Sequence, residues 1–240
     1  MRRWGLGNRA RALLIHGVGS SGADWSRVAS SVADAGVEVV APDLRGHGAA
    51  PAAGRYRFTD FAADLAQLGR AWDLIVGHSL GGPIAGELVH SGVRAGALLL
   101  VDPVFEISDN DLRAVIADQV AESDPFCDPS AVARANPRWG AEDAFHKAWA
   151  ARQVSGVTIE RVFTDNAPWQ HAHLLDGLQA PIVILGADPA VSAMFTPQLA
   201  ARMQSHGTHI RYSMVSGTSH GVHRERADIV VEAAVSLLGV

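Results

Sequence analysis

The hydrophobic positions of this chain change rhythm twice. Through residues 1–102, short apolar runs at 12–15, 37–41, 74–76 and 97–101 alternate with longer stretches of helical period. The runs are rich in Val, Leu and Ile and lack strict polar alternation, as expected of strands covered on both faces of a parallel sheet. Alternation of such strands with helices predicts βαβ units and a layered α/β architecture. From 103 to 178 no four-residue run of β type occurs. Helix starts replace it: Ser108 with Asp111 three residues on, and Asp128 capping ahead of Pro129. The aromatic residues Trp139, Phe145, Trp149, Phe163 and Trp169 gather here. The sheet rhythm returns at 182–185. Thr196-Pro197 opens a helix, Ile210, Tyr212 and Met214 alternate as in an outer strand, and 227–238 reads as a closing amphipathic helix. The predicted organisation is an α/β core made of 1–102 and 179–240, with a small helical cap, 103–178, inserted between its halves.

Composition narrows the setting. The 240 residues suffice for one sizeable domain with a modest insertion. An apolar share of 48% with 19% charged residues is ordinary for a globular protein. The net charge of −5 carries no long block of either sign, so no nucleic-acid partner is expected. Cys127 is the single cysteine and cannot form an intramolecular disulfide. Residues 4–8 are not the apolar run of a signal peptide, and no stretch approaches the ~18 apolar residues of a membrane helix. The expectation is a cytoplasmic protein acting on a small molecule, away from membranes. Oligomeric state is not encoded legibly.

The candidate chemistry starts at Gly77-His78-Ser79-Leu80-Gly81, a G-x-S-x-G segment between a predicted strand and a predicted helix. A serine on such a turn sits in an unfavourable backbone conformation, with its hydroxyl at the carboxyl edge of the sheet, where open α/β folds bind ligands. Small residues are needed on both sides, where strand and helix come close. The buried run ending at Ile15 leads into His16-Gly17-Val18-Gly19. Backbone N–H groups of Val18 and Leu80 are the expected donors to an oxyanion.

A serine hydroxyl needs a base, and histidine suits neutral pH. Among 11 histidines, His220 follows Gly217-Thr218-Ser219 in the loop after the last strand, on the same sheet edge as Ser79. It is preferred over His223, which lies nearer a helix start. His78 is expected to point away from the site. His171 and His173 lack further ligands at metal-binding spacing, so no metal site is expected. Two aspartates end predicted strands, each followed by a proline: Asp188 and Asp102. Asp188 is favoured as the acid because its strand neighbours the final one, near the His220 loop. Asp102 stands as the alternative.

These motifs, with Pro42-Asp43-Leu44-Arg45-Gly46-His47-Gly48 and Val101-Asp102-Pro103, resemble the α/β-hydrolase superfamily over nearly the whole chain. The resemblance implies the α/β-hydrolase fold: a mostly parallel central sheet, helices on both faces and a short helical cap. It implies Val18 and Leu80 as oxyanion donors, a structural turn at 43–48, and an acid after the strand before the last, as at Asp188. Two departures stand out. Asp188 follows Gly186 by two residues, where members commonly have three, which keeps Asp102 in play. Only about eleven residues precede the first apolar run, so one customary leading strand is expected to be missing.

The expected activity is hydrolysis of a small carboxylic ester or lactone through an acyl-enzyme on Ser79, without metal or organic cofactor. Trp139, Phe145, Trp149 and Trp169 are the expected apolar pocket. Two rival readings are hydrolysis of a carbon–carbon bond in a vinylogous diketone acid, and a ligand-sensing protein that retains the fold. The carbon–carbon reaction would need a cationic anchor among Arg113, Arg134, Arg138, Arg152 and Arg161.

Overall fold

In the computed structural model, which describes residues 1–205 and 210–240, seven strands form one sheet. They are β1 (Arg2–Trp4), β2 (Ala10–Ile15), β3 (Val37–Ala41), β4 (Ala71–His78), β5 (Arg94–Val101), β6 (Ile182–Gly186) and β7 (Ile210–Met214). Their spatial order is β1-β3-β2-β4-β5-β6-β7. Only β1 is antiparallel to its neighbour; every other pair is parallel. β2 and β4–β7 therefore end on one edge of the sheet, and each releases a loop carrying one of the candidate residues.

Side-chain alternation splits each inner strand between two cores. Leu13, Ile15, Ile75, Leu98 and Leu100 face one way, while Ala12, Leu14, Leu74, Leu99 and Val101 face the other. The second face is covered by α1 (Ser26–Asp34) through Val28 and Val32, together with Val230 and Ala234 of a later helix. The first face is covered by α2 (Phe58–Ala66) and α3 (Gly81–His90) through Phe61, Leu65, Ile84 and Leu88. Full burial of such a side chain contributes roughly 1.5–3 kcal/mol. This explains why the inner strands show no polar alternation.

Between β5 and β6 lie α4 (Asp109–Ala121), α5 (Pro129–Ala135), α6 (Ala141–Gln153) and α7 (Gly156–Thr164). The Ser108 hydroxyl accepts from the Asp111 amide, and the Asp128 carboxylate accepts from the Ser130 and Ala131 amides. Both starts thus have the capping chemistry their sequences suggest. Val162, Phe163 and Trp169 belong to the same apolar cluster as the first sheet face, so this segment shares the core's interior. The chain closes with α8 (Pro197–Gln204), α9 (Val222–Glu225) and α10 (Ala227–Leu238). Among the described residues no helix is long and apolar enough to cross a membrane.

Candidate active site

The turn that carries Ser79, the candidate nucleophile, is built by close packing. Ser79 has φ +54°, a left-handed conformation that a non-glycine residue adopts only under constraint. The constraint is visible: the Ser79 amide donates to Val101 O at 3.2 Å, and its carbonyl accepts from Gly82 N at 3.0 Å and Val104 N at 3.1 Å. A Cβ at Gly77 would lie 2.3 Å from Gly81 O, and one at Gly81 would lie 2.3 Å from Ile15 O. No side chain fits at either place, because strand, helix and the end of β2 meet there.

His220 Nδ1 lies 2.5 Å from Asp102 Oδ2. The Asp102 carboxylate is fully buried and also accepts from the amides of Ala187 (3.1 Å), Met194 (2.9 Å) and Phe195 (3.1 Å). A carboxylate enclosed by amide donors accepts from Nδ1–H, which leaves Nε2 of the neutral ring as the acceptor. Ser79 and the His220 ring border the same cavity. Among the described residues they share no direct hydrogen bond. Catalytic contacts of this kind commonly tighten only once substrate is bound.

The structure corrects the preference for Asp188 as the partner of His220. Its carboxylate accepts from Ala190 N at 2.9 Å and Gly217 N at 2.7 Å, and its amide donates to Thr218 O at 3.0 Å. The Gly217 amide first, then that of Ala190, holds its carboxyl below the usual carboxylate range. The short offset from Gly186 leaves Asp188 on a turn at the foot of the His220 loop. Asp102 instead leaves β5 with φ +39°, reaching beneath the ring from a strand that lies between β4 and β6.

The His220 loop is tied down at nearly every polar group. Gly217 N meets Asp188, and Gly217 O accepts from Arg138 Nη1 at 2.6 Å. Ser219 donates through its amide and its hydroxyl to Glu225, at 3.2 and 2.5 Å. Glu225 is in turn 3.1 Å from Arg138 Nε. The His220 carbonyl accepts from His78 Nε2 at 3.0 Å. His78 therefore does not point away: its ring centroid lies 4.7 Å from that of His220. Burial first, then the neighbouring His220, holds His78 well below the usual imidazole range, so it supports the loop as a neutral donor.

The loop after β2 is anchored by His16. Its Nδ1 donates to Gly17 O at 2.7 Å and its Nε2 accepts from Leu44 N at 3.0 Å, which fixes the neutral tautomer that burial also favours. Val18 and Leu80 border the cavity beside Ser79. Among the described residues neither of their amides has an acceptor. Two free N–H groups beside a candidate nucleophile can stabilise a developing oxyanion.

The cavity over Ser79 measures about 340 Å³ and is walled by Val104, Ile107, Val115, Phe163, Trp169 and Met194. A second hollow of about 620 Å³ adjoins it and also reaches Ser79 and His220. Of the expected pocket aromatics, Trp169 lines the first and Trp139 the second. Phe145 and Trp149 line neither; Phe145 is 57% exposed. Aromatic content does not say which helix face a ring occupies. Sequence reading also missed Ile107 and Met194, which are apolar residues in irregular segments without periodicity. Among the described residues no group of three or more His, Cys, Asp or Glu side chains is arranged to hold a metal ion.

Comparison with known proteins bears on the fold and the family. Lipase LipV of Mycobacterium tuberculosis is 35% identical over 146 residues, covering 59% of this chain and 54% of that protein. The putative carbamate hydrolase RutD of Variovorax paradoxus is 32% identical over 155 residues, covering 62% and 56%. The matches thus span little more than half the length of these relatives. Among solved structures, E-2-(acetamidomethylene)succinate hydrolase superposes with a TM-score of 0.80 at 20% identity, covering 100% of this chain and 98% of that one, a likeness of fold. The model of the alpha/beta hydrolase family matches residues 12–233; the chain belongs to that family.

Proposed function

We propose that the protein is a serine hydrolase that cleaves a carboxylic ester or lactone through an acyl-enzyme on Ser79, with His220 as general base and Asp102 as the acid that orients it. The observation that carries this reading is the 2.5 Å contact between His220 Nδ1 and the buried Asp102 carboxylate, in a loop bordering the same cavity as the strained Ser79. His220 Nε2 takes the Ser79 proton as Oγ bonds to the acyl carbon. The resulting oxyanion accepts from the Val18 and Leu80 amides. As the carbon–oxygen bond to the alcohol breaks, His220 passes its proton to the departing oxygen. Water, deprotonated by the same ring, then releases the acid and restores Ser79.

An ester or lactone is favoured over a vinylogous diketone acid, because none of Arg113, Arg134, Arg138, Arg152 and Arg161 lines either hollow over Ser79, and the two cations that do border the larger one, Lys147 and Arg224, are already paired with Glu122 and Asp24. The test is a fluorophosphonate probe with a panel of nitrophenyl esters, lactones and a ring-cleavage dienoate. Wild type should be labelled on Ser79, and Ser79→Ala should lose labelling together with about 10³-fold or more of its ester hydrolysis. Undiminished turnover by Ser79→Ala would falsify the mechanism. A folded wild-type protein that neither reacts with the probe nor turns over the panel would favour a ligand-sensing role.

A further inference from the structure

The loop after β2 has to hold the Val18 amide in one orientation, and its polar anchors come from two parts of the molecule. From the core, His16 Nδ1 donates to Gly17 O at 2.7 Å, the carbonyl of the same peptide unit as the Val18 N–H. Asp24 accepts from the Ser20 hydroxyl and, at 3.3 Å, from the Ser21 amide. Gly19 lies between these anchors, with φ +63°. Its carbonyl accepts from Lys147 Nζ at 3.3 Å, and among the described residues no backbone amide donates to it. Lys147 belongs to the insertion, so this anchor reaches the loop from outside the core.

Lys147 rises from a fixed base. Its helix, α6, buries Ala144, Ala148 and Ala151, and the buried Asp143 pairs with Arg27 of α1 at 2.7 Å. The same ammonium lies 2.6 Å from the carboxylate of Glu122, the residue that follows α4. The helix α4 has no buried residue, yet its Val115, Asp118 and Gln119 wall the smaller hollow over Ser79. One side chain thus joins the end of that wall to the loop that carries Val18. The Glu122 carboxylate is about half exposed, and such a pair adds little to stability by itself. Its consequence is geometric: it orders a flexible lysine stem so that a charged donor stays on the Gly19 carbonyl.

Building on the reading of Ser79 and Val18 above, we infer that Lys147 is a positioning residue for the oxyanion donor, acting through the Gly19 carbonyl. The Val18 N–H must aim at a place that the substrate oxygen occupies only as charge develops on it. A loop released at Gly19 would bring the donor to that place for part of the time. The loss falls on the transition state and spares the ground state, so it lowers kcat and leaves KM nearly unchanged.

The test compares wild type with Lys147→Met, Lys147→Ala and Lys147→Arg, using one nitrophenyl ester and a trifluoromethyl ketone. Addition of Ser79 to that ketone places an oxyanion at the same donors. Fluorophosphonate titration counts the competent sites, and all rates are taken per titrated site. Lys147→Met should lower kcat about tenfold with KM within about threefold, and should weaken the ketone by the same factor as kcat. Lys147→Ala is read in the same way should the methionine variant not fold. Lys147→Arg keeps a cationic donor and should recover kcat to within about threefold of wild type. A role in folding alone would lower the titrated fraction and leave both kcat per site and ketone affinity at wild-type values. That result, an effect confined to KM, or an arginine variant no better than the methionine one would overturn the inference. Wild-type labelling keeps it apart from the reading on which it rests. A labelled wild type with an unimpaired Lys147→Met removes only Lys147 from the machinery, whereas a folded wild type that is not labelled removes the mechanism as well.

Discussion

Asp102 receives donors from four directions: three backbone amides and the His220 ring. An asparagine there would put an NH₂ group among donors. Either a backbone amide loses its acceptor, or the ring is forced into the tautomer that protonates Nε2 and blocks proton uptake from Ser79. Asp102→Asn should therefore lower kcat about 10⁴-fold, as loss of the orienting acid does in this kind of triad. Asp188→Asn keeps one acceptor oxygen for the loop and should cost far less, about tenfold at most. Steady-state kinetics on one nitrophenyl ester compares them, and the reverse ranking would return Asp188 to the role of acid. The sequence showed both aspartates at strand ends followed by proline. What separates them is the +39° φ of Asp102 and the arrival of the Met194 and Phe195 amides from a distant loop, neither of which local pattern encodes.

At the scale of elements, the inner strands were legible because burial on both faces leaves a continuous apolar signature. Arg2–Trp4 carries no such signature; it pairs at the sheet edge through its backbone, in register with residues 39–41 of β3. The helix α4 has no buried residue, so its sequence gave a cap but no face. The coupling between the loop of the candidate base and the segment before α6 was likewise invisible, since Arg138, Glu225 and Ser219 come together only in three dimensions. Glu225 is about 5% exposed and serves both partners. Replacing it with Ala removes the acceptor from the Ser219 amide and hydroxyl and leaves Arg138 holding the loop through the Gly217 carbonyl alone among these contacts. Hydrogen exchange at residues 217–221 should accelerate, and kcat should fall about 10- to 100-fold through misplacement of the ring. A drop in activity with exchange unchanged in that loop would mean that Glu225 acts by some route other than positioning.

At the scale of the whole molecule, His16, His47, His78 and His223 are all buried behind the candidate site. His16 packs on His47 with ring centroids 5.4 Å apart, and His78 on His223 at 4.3 Å. Burial is the largest influence on all four and lowers each below its usual value of 6.5, His47 to about 3. In the unfolded chain they would take up protons near pH 6.5. Between that value and their lowered folded values, the unfolded state binds more protons, so stability is present above pH 6.5 and lost as pH falls below it. Each contributes a slope that approaches about 1.4 kcal/mol per pH unit between 6.5 and its own lowered folded value. Against a typical total of about 5–15 kcal/mol, a loss of this kind is a sizeable fraction, so stability should begin to fall below pH 6.5, before most carboxylates are protonated. Urea unfolding at pH 7.5, 6.5, 5.5 and 5.0 measures the slope, and His47→Gln should reduce it by the equivalent of one proton. A stability that stays level down to pH 4.5 and falls only below it would instead assign the acid limit to carboxylates such as Asp24, whose buried pairing with Arg224 breaks when the acid is protonated.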